Sequence, residues 1–244
     1  MPWLAVLAVC LSPCAQATTL GLRWDECASG GGAINKSFAC SVALGDAVSI
    51  ASLQVDAAVD SVVGMEWVVD VITAAPTLPD WWRMASGGCR PGALTASANF
   101  FGYGACADPW NGNGVALVQV FEPGQPRGGA NQLRIICTTS VTAADRTRLD
   151  AGVPYDVGLL RLSYANSSGA GSCSGCTTAA CLVFNSVLVL RDPTSAVTQL
   201  EYVPGSGSDP HRMTWQGTAA DCQLVPVRNR TWGALKSLYR SESR

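Results

Sequence analysis

Nine cysteines (Cys27, Cys40, Cys89, Cys106, Cys137, Cys173, Cys176, Cys181 and Cys222) are spread along residues 18–244, and two more, Cys10 and Cys14, lie in the apolar stretch before them. That density fits a chain stapled by disulfides in an oxidising compartment, because cytosolic thiols stay reduced. Spacing suggests pairs. Cys27 and Cys40 flank the Gly30-Gly31-Gly32 turn, so a bridge between them would close a hairpin. Cys89 and Cys106 flank a strand-like segment at 93–100, and a bridge there would tie the loops at its ends. Two of Cys173, Cys176 and Cys181 would close a small loop, with the third reaching Cys222. Nine is odd, and Cys137, on the Leu133/Ile135 face of its segment, is the expected buried free thiol, packing as a small hydrophobe.

The run Cys173-x-x-Cys176-x4-Cys181 also has the spacing of a zinc site that Cys222 or His211 could complete. A redox Cys-x-x-Cys pair is a further reading. An export signal and the Ser/Gly-rich surroundings favour disulfides over both, so no metal or cofactor is expected. Residues 1–17 carry that signal: an apolar run ending in Ala15-Gln16-Ala17, the small-x-small pattern cut by signal peptidase. The run is short of the ~20 apolar residues that span a bilayer, and it has no Lys or Arg before its apolar core.

With 16 basic and 18 acidic residues and no block of like charge, the chain lacks the basic stripe that nucleic acid requires and has no polybasic membrane patch. No later apolar stretch reaches membrane length, since Glu66 and Asp70 interrupt 62–73 and Arg161 interrupts 157–162.

Short alternating segments dominate at 38–44, 47–55, 62–73, 93–100, 115–122, 131–139, 155–164, 181–191 and 197–203. Clusters of Gly, Pro, Asn and Asp separate them. Nine to eleven such strands predict an all-β, antiparallel β-sandwich of jelly-roll or cohesin-like type over 18–228. Helical periodicity is confined to one turn opened by Thr142 and to a short C-terminal helix in the amphipathic tail 229–244, where Trp232, Leu235, Leu238 and Tyr239 recur at helical spacing after Thr231.

Catalytic signals are sparse. His211 is the sole histidine, in a loop before the last strand, and no Gly-x-Ser-x-Gly elbow accompanies it. Glu66 and Asp70 share a strand face at roughly 13 Å, too far apart for a glycosidase pair. The expectation is a non-enzyme. Asp108, Asn111 and Asn113 offer oxygens to calcium but suit Asx-turn chemistry better. The loops Leu78-Pro-Asp-Trp81-Trp82-Arg83 and Asp108-Pro-Trp110-Asn-Gly-Asn-Gly, with Tyr103 upstream, bring aromatics to turn-rich segments. Exposed there, Trp81, Trp82, Tyr103 and Trp110 would form a ligand-binding platform for a sugar ring or a partner protein. Buried, they would close the ends of the sandwich.

The tail Thr231-Trp-Gly-Ala-Leu-Lys-Ser-Leu-Tyr-Arg240, with Leu78-Pro-Asp-Trp-Trp82 and Cys106-Ala-Asp-Pro-Trp110, resembles a group of uncharacterised secreted bacterial proteins with a similar Thr-Trp-Gly…Lys-Ser-Tyr-Arg ending. A fainter resemblance, through Gly64-Met-Glu-Trp67 followed by a Pro-rich loop and later apolar strands, is to cohesin-type and carbohydrate-binding β-sandwiches. These likenesses imply a secreted or cell-surface β-sandwich and supply no activity. The expected function is a non-catalytic extracellular module that binds a glycan or protein through loop aromatics. The alternative is a structural or surface-assembly protein whose C-terminal tail mediates attachment or oligomerisation.

Overall fold

The computed structural model describes residues 19–104, 106–123, 129–204, 210–217 and 222. The expected signal peptide and the C-terminal tail and helix lie outside these residues. Twelve strands follow in chain order: β1 (Thr19–Trp24), β2 (Asn35–Lys36), β3 (Asp46–Gln54), β4 (Val59–Thr73), β5 (Leu94–Ser97), β6 (Val115–Phe121), β7 (Gln132–Ser140), β8 (Thr147–Leu149), β9 (Pro154–Ser163), β10 (Ala180–Arg191), β11 (Gln199–Tyr202) and β12 (Arg212–Trp215). They form an all-β sandwich of two sheets. The smaller has the order β1-β3-β9-β5. The larger has the order β2-β12-β10-β4-β7-β6, with β8 on β4 and β11 on β10. All described pairings are antiparallel except β2 with β12.

The long central strands follow from β-branched, alternating sequence. In β4, Met65, Trp67, Val69 and Val71 are buried, while Glu66, Val68, Asp70 and Ile72 are half-buried on the opposite face. Trp67 crosses the inter-sheet space to Gly158 of β9, where a Cβ would stand 2.6 Å from the Trp67 Cζ2. Only a glycine lets the indole in. Edge strand β1 meets β12 of the other sheet: the Trp24 indole N–H donates to the Thr214 carbonyl at 2.9 Å, and the Leu22 N–H donates to the Pro210 carbonyl at 2.9 Å.

The two outer faces differ. On the small sheet β3 and β9 are buried almost throughout, because the loops carrying Cys27 and Cys106 fold over them. On the large sheet β7 alternates buried with half-buried residues from end to end. Over β7 the described residues leave that outer face half-exposed.

Eight cysteines pair as Cys27–Cys106, Cys40–Cys176, Cys89–Cys173 and Cys181–Cys222, with Cys137 free and buried. The free Cys137 and the Cys222 partnership match expectation. Three other expectations are corrected. Cys27 and Cys40 do not close a hairpin, Cys89 and Cys106 do not tie one strand, and no two of Cys173, Cys176 and Cys181 join each other. Each cysteine of that cluster reaches a separate part of the fold, which also removes it as a zinc or redox site. Residues 38–44 are not a strand. Phe38 turns to stack on Trp215 (4.1 Å between ring centroids) and Cys40 is bonded to Cys176, so the segment follows its side chains and finds no strand to pair with.

Candidate functional site

The aromatic platform expected from the sequence does not form. Trp81, Trp82 and Trp110 are fully buried. Trp81 and Trp82 lie in a single 3-10 turn, Asp80–Trp82, and pack against Trp215 at 4.7 and 5.7 Å between centroids. Inside, the polar groups of Trp81 find partners, whereas the Trp82 indole nitrogen is buried without a hydrogen-bond partner among the described residues. The Trp81 indole N–H donates to the Ser167 hydroxyl at 2.8 Å, and the Arg90 guanidinium stacks on the Trp81 ring at 3.8 Å. Arg90 is itself buried and donates to the carbonyls of Trp81, Ser163 and Ala165. Desolvation lowers its pKa to about 10, so it still carries its charge at neutral pH. Trp110 is elsewhere, against β9, with its N–H on the Val157 carbonyl at 3.1 Å. Tyr103 is half-buried under Arg161, 5.5 Å from its ring centroid. The four aromatics therefore share no surface, and the tryptophans are core.

Asp108, Asp70 and His211 are held in contacts within the fold. Asp108 accepts the Trp110 and Gly112 N–H groups with its two oxygens, at 2.7 and 2.8 Å, as an Asx turn does. Asp70 is held by Arg134 at 2.6 and 2.7 Å and by the Asn185 amide at 2.6 Å. His211 is buried rather than exposed, and its Nε2 accepts from Arg212 at 3.0 Å. Cys27, Cys106 and Asp156 bring two sulfurs and a carboxylate oxygen within 4.8 Å of one another, but the sulfurs are bonded to each other. Asp156 instead clamps the covering loops, accepting the Ala28 N–H at 3.2 Å and the Ala107 N–H at 3.0 Å. An internal gap of about 10 Å³ beside Trp24, Ser49 and Trp82 admits no more than a water molecule.

Among the described residues of the large sheet, exposed apolar side chains stand on β6. Edge strand β6 reads Val-Ala-Leu-Val-Gln-Val-Phe, without a charge or a proline. Val115 is 64 % and Leu117 74 % exposed. Strand β7 pairs one side of β6, and β5 of the small sheet runs close to it without a backbone hydrogen bond between the two among the described residues. Natural edges are usually blunted by lysine, proline or a bulge, and this one carries none of these. Sequence reasoning assigned 115–122 as a strand but could not show that it ends a sheet. Away from it, Phe101 and Leu44 stand 92 % and 88 % exposed in loops. No helix among the described residues is long and apolar enough to cross a membrane. No protein-family model matches the chain, and no curated protein matches it.

Proposed function

We propose that the chain is an exported, non-catalytic β-sandwich module that binds an extracellular protein by strand addition along β6. The observation that carries the reading is the uncharged, unblunted edge Val115–Phe121 with Val115 and Leu117 turned to solvent. A partner strand would gain main-chain hydrogen bonds from β6 and apolar contact from its outward side chains. Four disulfides support an oxidising compartment. A protein is a better fit than a glycan, because the flat tryptophan faces a sugar would need are inside.

The test is binding of the purified protein to the extracellular fraction of its own producing cells. Leu117→Lys should abolish capture of any specific partner while leaving the unfolding free energy within ~0.5 kcal/mol, as exposed substitutions do. Unchanged capture by Leu117→Lys, or strong binding on a glycan array, would refute strand addition at β6.

A further inference from the structure

The outer face that Val115 and Leu117 share continues across β7, β4, β10 and β11. Across the outer face of the large sheet, Val68 lies opposite Ile136, and Leu188 lies in register between Glu66 of β4 and Glu201 of β11. These side chains are exposed or half-buried, and neither Glu66 nor Glu201 has an ion-pair partner among the described residues. At one end of this face Cys181 and Val183 are fully buried in a cluster separate from the main core. Cys222 helps to seal it, bonded to Cys181, with its carbonyl accepting from Arg212 at 2.7 Å. The chain that follows β12 has therefore returned over its own sheet by residue 222.

Residues 223–244 follow from that anchor. They carry Arg228, Arg230, Lys236, Arg240 and Arg244 against the single acid Glu242, in a protein of net charge −2. Trp232, Leu235, Leu238 and Tyr239 fall on one side at helical spacing, with Lys236 and Arg240 flanking them. Eight residues separate Cys222 from Thr231 and reach at most about 28 Å. From Ile72, beside the anchor, to Glu66 is six residues of β4, roughly 20 Å.

We infer that residues 223–244 dock on the outer face of their own large sheet, with Trp232, Leu235 and Leu238 over Val68, Ile136 and Leu188 and the basic residues facing Glu66 and Glu201. The Cys181–Cys222 bridge makes this docking intramolecular, so that a modest intrinsic affinity suffices at the high effective concentration of a short tether.

Trp232 provides the readout. Trp24, Trp67, Trp81, Trp82, Trp110 and Trp215 are all buried, so the difference between the full chain and its Trp232→Phe variant isolates the emission of Trp232. That difference should be blue-shifted and severalfold less quenched by acrylamide than a free peptide of residues 223–244, independent of protein concentration. Leu188→Arg should raise the quenching to the peptide's value. Glu66→Gln combined with Glu201→Gln changes almost no volume and serves should Leu188→Arg fold poorly. It should raise the quenching in dilute salt to the value that the unmodified chain reaches only at about 1 M salt. Quenching equal to the free peptide's, no response to either variant, or shielding that vanishes on dilution (a second copy as the occupant) would each overturn the inference.

Discussion

Asp156 shows how a buried carboxylate can hold a fold together and still carry a cost. Burial pushes its pKa from an ordinary 3.8 up to about 6, against the pull of the Ala28 and Ala107 N–H groups and with a small contribution from Asp108. In the window from about pH 4 to 6 the folded chain keeps a proton that the unfolded chain has lost. Stability therefore falls as pH rises through that window, by on the order of 3 kcal/mol, and is flat with respect to this group above it. Burial raises Glu66 and Glu201 in the same sense, whereas Thr194 lowers Asp192. The readout is therefore a comparison. In urea unfolding, the unmodified protein should gain stability between about pH 7 and pH 4.5, and Asp156→Asn should lose most of that gain. An equal gain in both proteins would assign the effect to other groups. Nothing in the sequence around Asp156 marks it, because its partners Ala28 and Ala107 are far away in the chain. The tryptophans were visible but read two ways, since a Pro- or Gly-flanked turn looks the same whether it projects or folds inward. For Trp81 the inward choice goes with Arg90 and Ser167, which satisfy it from outside its own segment.

At the scale of elements, sequence pattern was legible wherever a strand has one buried face. Alternation gave β3, β4, β7 and β10 to within about three residues, the usual uncertainty of a boundary. For β1 and β12 it gave existence without bounds, and it missed β2 and β8, of two and three residues, which exist because a longer neighbour offers a partner. Position in the sheet was not legible at all, since β6 reads like any core strand. Packing between elements makes its own demand at Gly158, where β9 must let Trp67 approach. Gly158→Ala places a methyl 2.6 Å from the indole and 3.1 Å from Thr139 Cγ2, both buried side chains without room to retreat. We expect a loss of about 1–3 kcal/mol in chemical denaturation. Adding Trp67→Phe should recover part of it, a positive coupling in a double-mutant cycle. Additive losses would mean that the two sheets do not meet through this pair.

The whole molecule is held by bridges between parts far apart in sequence, which is why cysteine spacing did not reveal them. Cys40–Cys176 and Cys89–Cys173 join residues 136 and 84 apart and draw one loop over the aromatic cluster around Trp215. Cys181–Cys222 joins residues 41 apart and lies on the outer face of the large sheet, away from that cluster. Chain entropy alone makes the Cys40–Cys176 bridge worth about 1 kcal/mol more than Cys181–Cys222. Packing widens the gap, because Cys176 is buried and its carbonyl receives the Trp215 indole N–H at 2.7 Å. Replacing Cys40 and Cys176 by serine should therefore lower the unfolding midpoint more than replacing Cys181 and Cys222. The second pair should have a different signature. It frees the anchor of residues 223–244, so acrylamide quenching of Trp232 should rise while the denaturant midpoint moves less. If removal of Cys181–Cys222 instead cost the larger share of stability, the outer face of the large sheet would belong to the cooperative core, and its apolar residues would be structural rather than a docking surface.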